Sequence, residues 1–106
     1  MNLCVDDEIK LKGFMPEKDD VKTLAQFFYA FSDETRLRIV ILLTIMPLCV
    51  SDISLVLNIN QTTVSHQLKI LRNIGIVEFD RDGKSIVYYI KNRDIFEMLN
   101  LSVDCV

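Results

Sequence analysis

The chain has 106 residues, half of them hydrophobic, and a formal net charge of −3. That length makes one domain with enough apolar content for a packed core, while its longest apolar run, Ile39 to Val50, is broken by Thr44 and Pro47 and is too short to span a membrane. An acidic chain is no general polyanion binder, so the distribution of charge matters more than its sum: residues 1–24 carry net −2, residues 51–93 net +2 and residues 94–106 net −3.

Residues 1–16 are mixed and polar and lack the apolar core of a secretion signal. They read as a loosely ordered arm with at most one helical turn, in a soluble, cytoplasmic protein. Pro16 suits the first position of a helix, along which Val21, Leu24, Phe28 and Phe31 recur at helical spacing. Ser32-Asp33 can cap the next helix, Glu34 to about Met46. Its run LRIVILLTIM is apolar on nearly all sides, which predicts the central buried helix. A buried strand is the competing reading of Ile39 to Leu43; the caps and the length favour a helix. Pro47 stops it.

Val50 to Leu57 forms a short helix, with Ser51 as its cap and Ile53, Val56 and Leu57 facing inward. Asn58-Ile59-Asn60 is a turn in which Asn58 tolerates a positive φ and Ile59 plugs the space between two helices. The stretch Asn60 to Gly75, NQTTVSHQLKILRNIG, is the most informative in the chain. Val64, Leu68 and Leu71 make an apolar stripe. At about 100° per residue, Thr62, Ser65, His66, Lys69, Arg72 and Asn73 gather on the opposite side. Asn60 can cap this helix and Gly75 can end it in a left-handed turn. A face of hydroxyls, imidazole and cations without a carboxylate suits the DNA major groove.

Beyond Gly75 the period becomes two. Residues 76–80 form a strand, residues 81–84 a turn with the Asp-Gly hairpin signal, and residues 85–90 the returning strand. This hairpin reads as a wing carrying Arg81 and Lys84 at its tip. Asn92 to Leu101 is a last helix, capped by Asn92, with Ile95, Met98 and Leu99 as its stripe. The fold class is therefore mainly α with a β-hairpin wing, a winged helix-turn-helix in the order α-α-α-α-β-β-α. Its domain spans residues 17–101, between an arm at 1–16 and a tail at 102–106. The terminal helices carry surplus apolar faces that a homodimer would bury.

The segments FSDETRLRIVILL (31–43), LCVSDIS (48–54), NQTTVSHQLKILRNIGIV (60–77) and DGKSIVYYI (82–90) make the chain resemble the ArsR/SmtB family of winged-helix repressors over residues 20–100. The resemblance implies a homodimer bound to double-stranded operator DNA and released on sensing a metal ion, a metalloid or a thiol oxidant. Carried over by position, Thr62, Thr63, Ser65, His66 and Gln67 face the groove, and Lys69, Arg81 and Lys84 meet the backbone. Gln61 and Arg72 complete the candidate DNA-binding set.

The resemblance also locates the sensing sites. At the family's site on the C-terminal helices, Asp94 stands near an acidic ligand position, but Phe96 stands where a His is expected, which argues against zinc sensing there. At the second site a Cys-x-Cys opens the short helix. Here it reads Cys49-Val50-Ser51, so the second thiol has become a hydroxyl. The arm Cys4-Val5-Asp6-Asp7-Glu8 resembles that of cadmium- and lead-sensing members. Cys4, Cys49 and Cys105 are thus the candidate metal ligands, with cadmium, lead or arsenite as the effector. Three readings of these thiols stand: a soft-metal or metalloid site, an oxidation switch, or incidental cysteines with Cys49 as a small buried hydrophobe. A repressor without metal response and a winged helix serving as a protein-interaction module remain alternatives. Catalysis is disfavoured, since His66 lies on the face turned away from the core while Cys49 opens a different helix, and no glycine-rich phosphate loop is present.

Overall fold

The computed structural model describes residues 2–97 and 99. Seven elements follow one another: α1 (Val5–Phe14), α2 (Lys18–Ala30), α3 (Glu34–Ile45), α4 (Val50–Leu57), α5 (Gln61–Ile74), β1 (Val77–Asp82) and β2 (Ser85–Ile90). A further helical segment covers 94–97 and 99. Helix α3 is the hub, packing against α4, α5 and β2. It starts where Asp33 Oδ2 accepts the Arg36 backbone N–H at 3.0 Å. Ile39, Val40 and Leu43 of α3 join Ile53 of α4, Val64, Leu68 and Leu71 of α5, and Ile76, Val77 and Ile90 around the hairpin in one core.

Asn58 adopts the left-handed conformation, φ 55°, and turns the chain between α4 and α5. Ile59 packs against the core from within that turn. Helix α4 differs from expectation in two ways. Cys49, not Ser51, is its N-cap, without a side-chain capping bond. Val56 is exposed, and Val50 takes its place beside Ile53 and Leu57, which face inward as expected. Val50, Ile53 and Leu57 are spaced i, i+3, i+7 on one face of the helix, and Val56 falls off that face.

The hairpin is antiparallel and in register from Val77–Ile90 to Asp82–Ser85. The ladder therefore runs further than expected, and the turn is Gly83 and Lys84 alone. Gly83 supplies the positive φ, 63°, at the first central position. Arg81 is consequently a strand residue opposite Ile86, one step behind the tip. Leu48 adds a single bridge on the far edge of β2, exchanging N–H···O bonds of 2.8 and 3.1 Å with Tyr88. A single strand residue between two helices has no period to betray it.

The arm is more ordered than its polar composition suggests. Asp6, Asp7 and Glu8 occupy the first turn of α1, where the helix dipole favours carboxylates. Glu8 and Lys12 make an i,i+4 ion pair at 2.9 Å. Yet α1 buries no residue. Helix α2 starts two residues after Pro16, buries Ala30 and leaves Val21, Leu24 and Phe28 exposed. The radius of gyration is 18.1 Å, against about 13 Å for a compact chain of this length. At the other end Asn92 Oδ1 accepts from Asp94 N at 2.9 Å, capping the last helix as expected, and Ile95 is fully buried. Met98, Leu101, the tail 102–106 and Cys105 with it lie outside the described residues. Among the described residues no helix is long and apolar enough to cross a membrane.

Candidate nucleic-acid interface

Helix α5 has the two faces its sequence announces. Val64, Leu68 and Leu71 are fully buried. Gln61, Thr62, Thr63, Ser65, His66, Lys69, Arg72 and Asn73 are exposed. Asn60 Oδ1 accepts from Thr63 N at 2.9 Å and closes the N-terminus. Gly75, at φ 91°, ends the helix, and its N–H and that of Ile76 return to the Arg72 and Leu71 carbonyls. Both ends are thus satisfied without any carboxylate on the helix.

Gln67 departs from the groove-facing set. It is half-buried on the flank of α5, and its Oε1 accepts from Arg36 Nη1 at 3.3 Å. The cause is Arg36 itself, a buried guanidinium that needs acceptors. Its Nε donates to the Ala30 carbonyl at 3.2 Å and its Nη2 to the Tyr29 carbonyl at 3.3 Å.

Arg72 is exposed, but its guanidinium is engaged. Nε lies 2.8 Å from Glu78 Oε1, and the group sits 4.3 Å from the centroid of the Phe79 ring. The last turn of α5 is thereby strutted to the root of the wing. The carboxyl of Glu78 is held below its ordinary value, first by the Phe79 backbone N–H and then by Arg72. A depressed carboxylate pKa contributes in the folded state above the unfolded value and is lost as pH falls through the folded one. In an NMR titration Glu78 is therefore expected to protonate below 4.5 and to move back up towards that value in Arg72→Ala. A strut also predicts that Arg72→Ala leaves the salt dependence of DNA binding unchanged. A phosphate contact would lower the slope by about 0.9. Arg81 and Lys84 are both exposed on the wing, without an ion pair among the described residues.

The two described cysteines stand alike. Cys4 is the N-cap of α1, and its Sγ donates to Asp7 Oδ2 at 3.1 Å. Cys49 is the N-cap of α4; its Sγ lies 3.2 Å from Asp52 Oδ2 and 3.1 Å from Ser51 Oγ. Both belong to a Cys-Val-x-Asp sequence. Cys49 and Ser51 share an open groove of about 320 Å³ with Gln61 at the start of α5 and Lys84 and Ser85 of the wing. Among the described residues no three His, Cys, Asp or Glu side chains are grouped to hold a metal ion within one chain. His66 stands apart on the exposed face of α5.

Sequence reasoning overlooked Arg36, Glu78, Asp7 and Asp52. The last two had a signal, the repeated Cys-Val-x-Asp. Glu78 follows Arg72 across a glycine turn, a spacing that only the folded turn makes short. Nothing in the local pattern marks Arg36 as buried.

Residues 33–78 match the family described as bacterial regulatory protein, arsR family. The cadmium resistance transcriptional regulatory protein CadC of Listeria innocua is 38% identical over 86 residues, covering 80% of this chain and 72% of its own length. The crystal structure of Rv0081 from Mycobacterium tuberculosis superposes with a TM-score of 0.74 at 29% identity, over 84% of this chain and 90% of that one. The homodimeric winged helix-turn-helix DNA-binding domain of Mb0332 from Mycobacterium bovis superposes with a TM-score of 0.74 at 26% identity, over 86% and 89%.

Proposed function

This chain belongs to the ArsR family of bacterial regulatory proteins, a family of regulators rather than enzymes, and we propose that it acts as a dimeric, sequence-specific DNA-binding repressor released from its operator by a thiophilic ion. The observation that carries the DNA half is the exposed, carboxylate-free face of α5 beside an exposed wing. Thr62, Thr63, Ser65 and His66 offer hydrogen bonds to base edges. Lys69, Arg81 and Lys84 offer charge to phosphates, and Gln61 lies at the helix entrance. The exposed apolar residues of α1 and α2 support a homodimer, as does the homodimeric state of the Mycobacterium bovis domain.

The effector half rests on donor chemistry. Cys4 and Cys49, each beside a carboxylate, provide sulfur and oxygen ligands suited to a soft or borderline cation. The similarity to a cadmium resistance regulator points the same way. Cys105 is a further candidate ligand. Two thiols in place of a full thiolate set predict weaker and less selective binding.

A gel shift against DNA upstream of the protein's own gene tests the DNA half. Thr62→Ala/Ser65→Ala is expected to weaken the specific complex about thirtyfold, at roughly 1 kcal/mol for each of the two lost hydrogen bonds, with nonspecific binding little changed. A variant that binds the operator as tightly as its parent, or a parent that gives no specific band at moderate salt, would defeat this reading.

A further inference from the structure

Arg36 and Gln67 carry an inference that deepens the DNA-binding reading and rests on it. Arg36 is buried, and its side chain makes no ion pair among the described residues. Its charge is met instead by the Tyr29 and Ala30 carbonyls at the end of α2, where the helix dipole is negative. The Tyr29 ring, 5.0 Å away, adds to this. The remaining arm of the guanidinium reaches α5 through Gln67 Oε1 at 3.3 Å. One side chain of α3 thereby ties the end of α2 to the recognition helix.

A guanidinium only donates, so the atom of Gln67 facing it must be the amide oxygen. The amide NH2 is then the end left over. It makes no bond within the described chain, and among those residues no buried side-chain nitrogen or oxygen is unpartnered, so it reaches solvent. We propose that Arg36 is a positioning residue that turns Gln67 into a one-way donor, aimed from the flank of α5 at a phosphate oxygen of the DNA backbone. The flank position fits a groove wall rather than a base edge. The fixed orientation removes the paired acceptor and donor that Gln would need to read adenine. A phosphate oxygen accepts only, and matches what is left.

The test uses the full-length protein, the operator fragment of the gel shift and thermal unfolding. Gln67→Glu keeps an acceptor for Arg36, so folding stability should hold or rise. It removes the donor and places a negative charge against phosphate, so affinity should fall about tenfold or more, in line with losing a hydrogen bond to a charged group. A purely structural clamp would lose only the long-range repulsion of the added charge, which fades as salt is raised, whereas loss of the contact itself leaves a deficit that salt does not remove. Arg36→Lys keeps the charge but loses the fork, and Gln67→Met removes the acceptor. Their effects on operator affinity should be non-additive, because each breaks the same link. Unchanged affinity in Gln67→Glu, a deficit there that salt removes, or independent costs for Arg36→Lys and Gln67→Met, overturns the inference while the DNA reading stands. A parent protein without a specific band overturns both.

Discussion

Leu68→Ala is expected to cost about 2–5 kcal/mol of folding stability. Leu68 is fully buried at the middle of α5, facing the core built on α3 and α4. Truncation there removes apolar contact from several elements at once, and the cavity cannot collapse without moving the helix. Against a total of about 5–15 kcal/mol for a domain, the change brings the protein close to unfolding at ordinary temperatures. Urea denaturation followed by circular dichroism should show a lower midpoint with an unchanged slope. Leu68→Met, which keeps the volume, should cost less than about 1.5 kcal/mol. Leu55→Ala is the control: that side chain is 79% exposed, and such surface changes stay within about 0.5 kcal/mol. A loss below 1 kcal/mol for Leu68→Ala, an order of magnitude typical of surface sites, would mean that α5 is not anchored as described.

Cys49→Ser is expected to leave operator binding in place and abolish release by cadmium. A hydroxyl at the N-cap of α4 can still donate to Asp52, so the helix start is preserved. What disappears is the thiolate, the ligand a soft cation selects. Coupling between two sites is ordinarily about 1–3 kcal/mol, or roughly 5–150-fold in affinity, and that is the response the substitution should erase. The groove shared by Cys49, Gln61 and Lys84 would give such a coupling a short path. An ion at Cys49 would sit beside two of the residues assigned to DNA. Cys4→Ser should behave in the same way if the arm supplies the second thiol. Ser51→Cys should tighten cadmium binding by restoring a Cys-x-Cys pair. Reversal of release by a chelator marks metal sensing, and reversal by a thiol reductant marks oxidation. Cadmium releasing Cys49→Ser as readily as the parent would remove this cysteine from the sensor.

Much of the molecule was legible in the order of residues, because its signals are local. Asp33 and Asn60 cap helices within three residues of themselves. Asn58 and Gly75 take the left-handed turns that interrupt the pattern. Val64, Leu68 and Leu71 mark the buried side of α5 through a spacing that any straight helix enforces. The alternation of residues 85–90 and the glycine at 83 announce the hairpin. These signals also fix the exposed polar face, since the other side of a half-buried helix has nowhere else to point.

The tertiary structure alone decided which of those polar residues are already spoken for. Gln67 and Arg72 lie on the same helix as Thr62 and His66, yet Arg36 claims the amide oxygen of the first, and Glu78 with Phe79 the guanidinium of the second. Both partners come from other elements, and no periodicity within α5 registers them. The same holds for Leu48, which becomes a strand only because Tyr88 lies beside it. It holds for Cys49, whose nearness to Gln61 and Lys84 arises when the wing folds over the start of α4. Local spacing determines elements, caps and faces through steric and hydrogen-bonding rules acting over a few residues. Which charges stay free for a ligand depends on neighbours that packing brings from far along the chain.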